Sequence, residues 1–245
     1  MKEKLGLKVP SNYKLNYIAN YTNEKVYKPK EGVPDIWNWE QQGAVTEVKD
    51  QGSCGSCWTF STAGNIEGAY YLKYKNLVDF SEQQIIDCDR SNFGCGGGWP
   101  YAAIDWLSHH GGLQTLKTYP FRSNYSGPCE FNKSLAQVQI KGYMNISNNA
   151  TVIKDALYEM GPLSIGLDFT GLFHYKAGIA SPRFCYTWPD HAVLMVGYGI
   201  KDGEDYWLIK NSWGPKWGIN GYFMLKKGLN KCGCEQWVTT ALLAD

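Results

Sequence analysis

A chain of 245 residues with eight cysteines and a formal charge of +1 is long enough for one large domain, or two small ones around a shared cleft. Its 24 basic residues are scattered among 23 acidic ones, which leaves no electrostatic footprint for nucleic acid or an anionic membrane. No apolar run approaches the roughly 18 to 20 residues that span a bilayer. Met1-Lys2-Glu3-Lys4 lacks the apolar stretch of a signal peptide, so the chain is expected to start inside a longer precursor.

In chain order, residues 1–32 are polar, broken by Pro10, Pro29 and Gly32, and show no sustained period, so they read as a linker. From Cys57 to Lys75, Phe60, Ala63, Gly64, Ile66, Ala69, Tyr70 and Leu72 recur at helical spacing. They predict a long buried helix in which Gly64 and Gly68 permit close packing. Ser81 with Gln84 forms a capping-box pattern, and Pro100 ahead of Tyr101 to His110 and Gly111-Gly112 predicts another helix. After Ile140 a helix from about Val152 to Met160 precedes strand-like runs at Leu163 to Leu167, Ala192 to Tyr198, Asp205 to Lys210 and Gly221 to Lys226. The glycines between those runs suit the bends of a barrel-like antiparallel sheet. The fold class is therefore α+β, with helices concentrated in the first half and strands in the second.

The chemistry is concentrated in Gln51-Gly52-Ser53-Cys54-Gly55-Ser56-Cys57-Trp58, a distant His191, and Asn211-Ser212-Trp213. A thiol is a strong nucleophile only as thiolate, so it needs a positive partner, a favourable field and a donor for the oxyanion formed on attack. Cys54-Gly-Ser-Cys57 alone also fits a redox pair or, with Cys232-Gly-Cys234, a zinc site. Both readings leave Gln51, His191 and Asn211 unexplained, so neither metal nor organic cofactor is expected. His109-His110 at a helix end and His174 read as surface residues.

These residues resemble the papain and cathepsin family of cysteine proteases, with its Cys-Gly-(Ser/Ala)-Cys-(Trp/Tyr) signature and distant His and Asn. The likeness continues through Ser81-Glu82-Gln83-Gln84, Asp87-Cys88-Asp89, Gly94-Cys95-Gly96-Gly97-Gly98, Tyr119-Pro120-Phe121, Asp190-His191-Ala192-Val193 and Asn211 to Tyr222. It covers the chain from about Val33 to the C-terminus.

The resemblance implies a two-lobed peptidase domain over 33–245. A helical lobe at about 43–138 would face a β lobe at about 139–245 completed by 33–42. Residues 1–32 look like a propeptide remnant, and without the propeptide's helical part the chain is not expected to be fully self-inhibited.

By the same resemblance, Cys57 opens the long helix, where free N–H groups and the helix dipole favour thiolate, and pairs with His191 across the cleft. Asn211 orients the imidazole under the cover of Trp213, and Gln51 with the Cys57 N–H receives the oxyanion. Cys54 pairs with Cys95, Cys88 with Cys129, and Cys185 with Cys232, although Cys234 remains an alternative partner.

The substrate main chain is expected along Gly55, Gly97, Gly98 and the Asp190 carbonyl. The pocket for the side chain two residues before the scissile bond is expected from Trp99, Pro100, Gly166, Pro189 and Ala192, floored by Trp237. A bulky indole at that floor points to small or medium apolar side chains, and no acid is matched there to pair with arginine.

The implied activity is endopeptidase hydrolysis through an acyl-enzyme. The alternatives are a transpeptidase or ligase using the same intermediate, a catalytically silent binding protein, and an exopeptidase whose cleft is blocked by residues 1–32. Partners implied are polypeptide substrates, cystatin-type inhibitors and the chain's own propeptide, with a monomeric enzyme. Eight cysteines and sequons at Asn20, Asn124, Asn132, Asn145 and Asn149 point to a glycosylated protein of the lysosome, a digestive vacuole or the exterior.

Overall fold

The computed structural model describes residues 4–8, 32–123, 125–185 and 188–245. Helix α1, Cys57–Tyr74, is buried over most of its circumference because it forms the wall between the lobes rather than a surface helix. Lys75 ends it in the left-handed conformation, its N–H donating to the Tyr71 carbonyl. The lobe interface is polar as well as packed. Ser61 Oγ donates to the Val193 carbonyl at 2.7 Å, Asn65 Nδ2 donates to the Pro162 carbonyl at 2.7 Å, and Asn65 Oδ1 accepts from the Ala241 N–H at 2.7 Å. The two helix glycines explain the close approach. A Cβ on Gly64 would stand 2.8 Å from Leu194 Cδ2, and one on Gly68 would stand 2.8 Å from Pro162 Cγ.

Helix α2, Glu82–Cys88, starts at Ser81, whose Oγ accepts from the Gln84 N–H at 3.0 Å. Helix α3, Pro100–His109, has its proline at the first position. Helix α4, Ala150–Met160, begins two residues earlier than the apolar spacing predicts, because Asn149 Oδ1 caps the N–H groups of Thr151 and Val152.

The strands are β1 Trp37–Asn38, β2 Leu113–Gln114, β3 Ala136–Val138, β4 Ile140–Ile146, β5 Leu163–Leu167, β6 Ile179–Ala180, β7 His191–Lys201, β8 Glu204–Lys210, β9 Tyr222–Lys226 and β10 Trp237–Leu243. β2 pairs with β3 in the helical lobe. The main sheet runs β4-β10-β5-β7-β8-β9-β6, with β1 added along β7.

Two features correct the expectation of an antiparallel barrel. β6 lies parallel to β9, and β4 and β6 end the sheet without pairing with each other, so it stays open. β7 is buried on both faces over its first nine residues, between α1 on one side and α4 on the other. One apolar cluster gathers Phe169, Trp207 and Phe223 in the β lobe, and a second gathers Trp58, Ile66, Phe80 and Leu107 in the helical lobe. Ala192 and Trp237 belong to the second cluster although their strands belong to the main sheet, which brings the two lobes together at the mouth of the cleft.

Behind the cleft, charges are buried in pairs. Lys49 Nζ lies 3.1 Å from Glu67 and 2.8 Å from Glu82, and Thr46 Oγ1 donates to Glu67 at 2.7 Å. Lys210 Nζ donates to the Thr46 carbonyl at 2.8 Å and directly precedes Asn211. Burial brings the Lys210 ammonium down to about 8, against the pull of Glu67. Such groups are tolerated in an interior only when hydrogen-bonded and paired.

Candidate active site

Cys57 is the first residue of α1 and His191 the first of β7, so the start of one element on each lobe faces the cleft. Asn211 follows the last residue of β8, the neighbour of β7 in the sheet. His191 Nε2 and Asn211 Oδ1 are 2.8 Å apart. An amide oxygen only accepts, so Nε2 carries the proton and Nδ1 is left as the free nitrogen of the ring. Among the described residues, His191 Nδ1 has no hydrogen-bond partner.

Trp213 lies tilted against the imidazole with centroids 5.1 Å apart, and Phe169 meets its edge at 4.7 Å. Phe169 also packs on Trp213 at 4.9 Å, so two aromatic rings shield the His191–Asn211 bond from water. Phe169 sits in no recognisable motif, and sequence reasoning passed over it.

Gln51 links the lobes. Its N–H donates to the Ser212 carbonyl at 2.9 Å, and Ser212 Oγ donates to Gln51 Oε1 at 2.6 Å. That fixes the amide orientation, with Nε2 donating to the Cys54 carbonyl and to the Lys4 carbonyl at 2.8 Å each.

Residues 4–8 lie in the cleft. The Gly98 N–H donates to the Gly6 carbonyl at 2.8 Å, the Lys8 N–H to the Gly98 carbonyl at 3.1 Å, and the Leu7 N–H to the Asp190 carbonyl at 3.2 Å. Leu7 runs parallel to Gly98. Its side chain is buried in the cluster that holds Trp99, Ala192 and Trp237. Trp99 and Trp237 meet edge to face at 5.5 Å, and a Cβ on Gly166 would come within 2.9 Å of Leu7 Cδ2.

The expected pocket residues Trp99, Gly166, Ala192 and Trp237 are thus assembled around one leucine. Pro100 follows Trp99 as the first residue of α3, and buried Pro189 precedes Asp190. Gly97, at φ +114°, would bring a Cβ within 3.0 Å of Lys8 Cγ, and Gly55 packs against Gly6. The expectation of a chain that is not fully self-inhibited meets a segment that already occupies the cleft. The short segment 4–8 reaches the Gly98 and Asp190 main chain and the Gln51 side chain.

Burial sets the ionisation of the site. Burial pushes the Cys57 thiol up to about 11, against opposing N–H contacts from Ala192, Gly6 and Trp58. Burial likewise brings His191 down to about 4, against the opposing bond from Asn211. With the strand seated, the site holds a neutral thiol beside a neutral imidazole.

The sequence model described as papain family cysteine protease matches residues 33–242. The chain belongs to that family. It is 40% identical over 222 residues to cathepsin F of Drosophila melanogaster, covering 86% of this chain and 36% of that one. It is 44% identical over 208 residues to pro-cathepsin H of Medicago truncatula, covering 82% of this chain and 59% of that one. The chain therefore spans about a third to three fifths of the length of these relatives. Among solved structures, the digestive procathepsin L2 proteinase from Tenebrio molitor larval midgut superposes with a TM-score of 0.88 at 31% identity. That match covers 98% of this chain and 79% of that one.

In this papain-family chain the cysteines pair as Cys54–Cys95, Cys88–Cys129 and Cys185–Cys232, leaving Cys57 and Cys234 free and buried. No group of three or more His, Cys, Asp or Glu among the described residues could hold a metal ion. Among the sequons, Asn132 and Asn149 are exposed caps of a short turn and of α4. Asn145 is buried in β4 opposite Thr239, which leaves no room for a glycan on the folded chain. Asn20 and Asn124 lie outside the described residues, as does most of the 1–32 segment.

Proposed function

We propose that residues 33–245 form a cysteine endopeptidase and that residues 1–32 are a propeptide remnant whose strand at 4–8 occludes it. The observation that carries this reading is the Gln51 amide. It holds a peptide carbonyl oxygen on the face of the cleft where Cys57 begins its helix and His191 stands opposite. With the strand gone and water admitted, the proton passes from the Cys57 thiol to His191 Nδ1. The helix N-terminus and imidazolium then favour the thiolate.

The thiolate attacks the scissile carbonyl carbon, and the oxyanion receives the Gln51 amide and the Cys57 N–H. His191 returns its proton to the leaving amine as the C–N bond breaks, giving a thioester. Water, deprotonated by the same imidazole, attacks the thioester and releases the acid and the thiol. Asn211 keeps the ring in register through both halves.

The strand escapes this chemistry because it runs the wrong way. A substrate seats in the pocket the side chain two residues before the scissile bond, so it runs N to C from the pocket towards Cys57. The strand passes from Leu7 in the pocket through Gly6 beside Cys57 to Lys4 on Gln51, which is C to N.

Leu7 in the pocket supports a preference for medium apolar side chains there. Dipeptidyl fluorogenic amides carrying Leu, Val, Pro, Phe or Arg at that position are the test. The smaller apolar residues are expected to exceed Phe and Arg by about tenfold in kcat/KM, since one misfitted group is worth ~1–3 kcal/mol. A profile led by Phe or Arg sinks the preference, and turnover of none of the five by chains whose Cys57 an epoxide labels, and whose cleft is therefore open, sinks the protease reading. Cystatin-type proteins are proposed as inhibitors of the opened cleft. The three disulfides support an oxidising compartment, lysosomal, vacuolar or extracellular.

Strand seating is expected to weaken in acid through Asp50. Partial burial alone would raise that carboxyl, but Lys4 Nζ at 2.8 Å and the Gly52 N–H outweigh it and hold it below its ordinary value of 3.8. A carboxyl depressed only in the seated state contributes to seating above its ordinary pKa and loses that contribution as pH falls through the depressed one. The Cys57–His191 pair adds nothing at neutral pH. Near neutral pH it carries one proton when closed, as thiol and imidazole, and one when open, as thiolate and imidazolium, so the Asp50→Asn comparison isolates the carboxyl from the uptake of a further proton by His191 near pH 4. Epoxide labelling of Cys57 in the full chain should therefore rise below about pH 4, and Asp50→Asn should flatten the rise and add a few-fold at neutral pH. An acid limb identical in Asp50→Asn would show that other groups release the strand.

A further inference from the structure

Behind the edge of the cleft, the loop between α2 and α3 carries two polar side chains that take no part in the chemistry above. Asp89, 2% exposed, accepts the Ser91 N–H at 2.8 Å, Ser91 Oγ at 2.6 Å and Asn92 Nδ2 at 2.6 Å. Three converging donors are the arrangement of an ionised carboxylate, although burial pushes its pKa upward.

Asn92 turns its Oδ1 the other way and accepts the Trp99 N–H at 2.8 Å. That N–H belongs to the peptide unit joining Gly98 to Trp99, and a trans peptide aims its carbonyl in the opposite direction. The carbonyl points into the cleft, where the Lys8 N–H donates to it. A Cβ on Gly98 would stand 2.7 Å from Asn92 Oδ1, so the amide lies directly beneath the backbone on which the ligand pairs. Carboxylate, amide and peptide form one file of hydrogen bonds ending on the ligand's N–H. In such a file each donor polarises the next group, and a negative charge at its head strengthens the acceptor at its end.

We propose that Asp89 and Asn92 are positioning residues for substrate binding. They hold the Gly98–Trp99 peptide and strengthen its carbonyl as the acceptor for the main-chain N–H of the residue seated in the pocket. This rests on the protease reading, in which a substrate runs opposite to the strand. An antiparallel residue facing Gly98 exchanges both hydrogen bonds with it.

The test uses two dipeptidyl amides that differ only in N-methylation of the pocket residue, on the full chain, Asn92→Leu and Asn92→Asp. Rates under mildly acidic reducing conditions are normalised to Cys57 sites titrated with iodoacetamide. Asn92→Leu is expected to raise KM and to lower kcat/KM roughly fivefold on the unmethylated substrate, and less than about twofold on the methylated one. Asn92→Asp, which keeps an acceptor for the Trp99 N–H but meets Asp89 without a donor, should fall between the two. Equal losses on both substrates would mark Asn92 as a structural residue and overturn the proposal, as would no loss on either. Failure of the substrate alignment is separately visible, because a wild-type chain indifferent to N-methylation does not pair its substrate through the Gly98 carbonyl.

Discussion

Cys57→Ala is expected to end peptide hydrolysis, with a loss in kcat of about 10⁵ to 10⁶, the scale on which a covalent nucleophile is worth its whole catalytic unit. The sharper form of this prediction compares the two free thiols. Cys57 and Cys234 are both buried, and burial pushes both thiols up, Cys57 to about 11 and Cys234 well above the ordinary thiol value. In the seated state both are inert: Cys57 at about 11 is ionised in only about one molecule in 10⁴ at pH 7, and burial holds Cys234 protonated as well. They differ in what removes the burial. Cys57 is covered by a strand held by hydrogen bonds to Gly98, Asp190 and Gln51, whereas Cys234 lies in the β-lobe core with Phe169, Phe223 and Leu225. Iodoacetamide under activating conditions should therefore modify one thiol per chain, and none in Cys57→Ala. Cys234→Ala should keep the rate of hydrolysis within about twofold. Hydrolysis that survives Cys57→Ala would end the proposed mechanism.

The proposed catalytic set was legible because its chemistry demands particular residue types, and those types occur in motifs that leave few other readings. Gln51 and Cys57 share one motif while His191 and Asn211 lie far downstream, and Cys57, His191 and Asn211 are each placed by the start or end of an element that apolar spacing or strand pattern predicts. β4 and β10 were harder. Ile140–Ile146 carries a glycine, a lysine and an asparagine, and Trp237–Leu243 follows a cysteine-rich turn, so neither shows clean alternation although they pair over six positions. The parallel β6–β9 contact spans only two residues, too short to leave a pattern.

Lys4–Lys8 was not readable at all, because the cleft recognises its backbone and a single leucine. Backbone recognition leaves little trace in side-chain sequence. Asp89 and Asn92 were hidden for the same reason, as their partners are main-chain groups or each other.

Gly6→Ala is expected to open the cleft. At residue 6 the strand presses against the backbone of the opposite wall. A Cβ built there would stand 2.7 Å from Gly55 Cα and closer still to the Gly55 carbonyl. The obstacle is main chain in the loop that carries Cys54, which is tied to Cys95 by a disulfide, and the Gly55 N–H donates to the Cys95 carbonyl at 3.0 Å. It cannot rotate aside as a flexible side chain would. The strand must lift instead, and lifting stretches the Gly98–Gly6, Lys8–Gly98 and Gln51–Lys4 hydrogen bonds together. At ~1 kcal/mol each these sum to ~3 kcal/mol, or about 100-fold in occupancy of the closed state. Withdrawal of Leu7 from its pocket adds ~2 kcal/mol of lost apolar burial. Alkylation of Cys57 in the full chain at neutral pH should accelerate by at least about 100-fold. Leu7→Ala should act in the same direction with a smaller effect, because it empties the pocket without forcing the backbone apart. If Gly6→Ala left the alkylation rate unchanged, the strand would not be what covers Cys57, and the raised thiol pKa would need a source within residues 33–245.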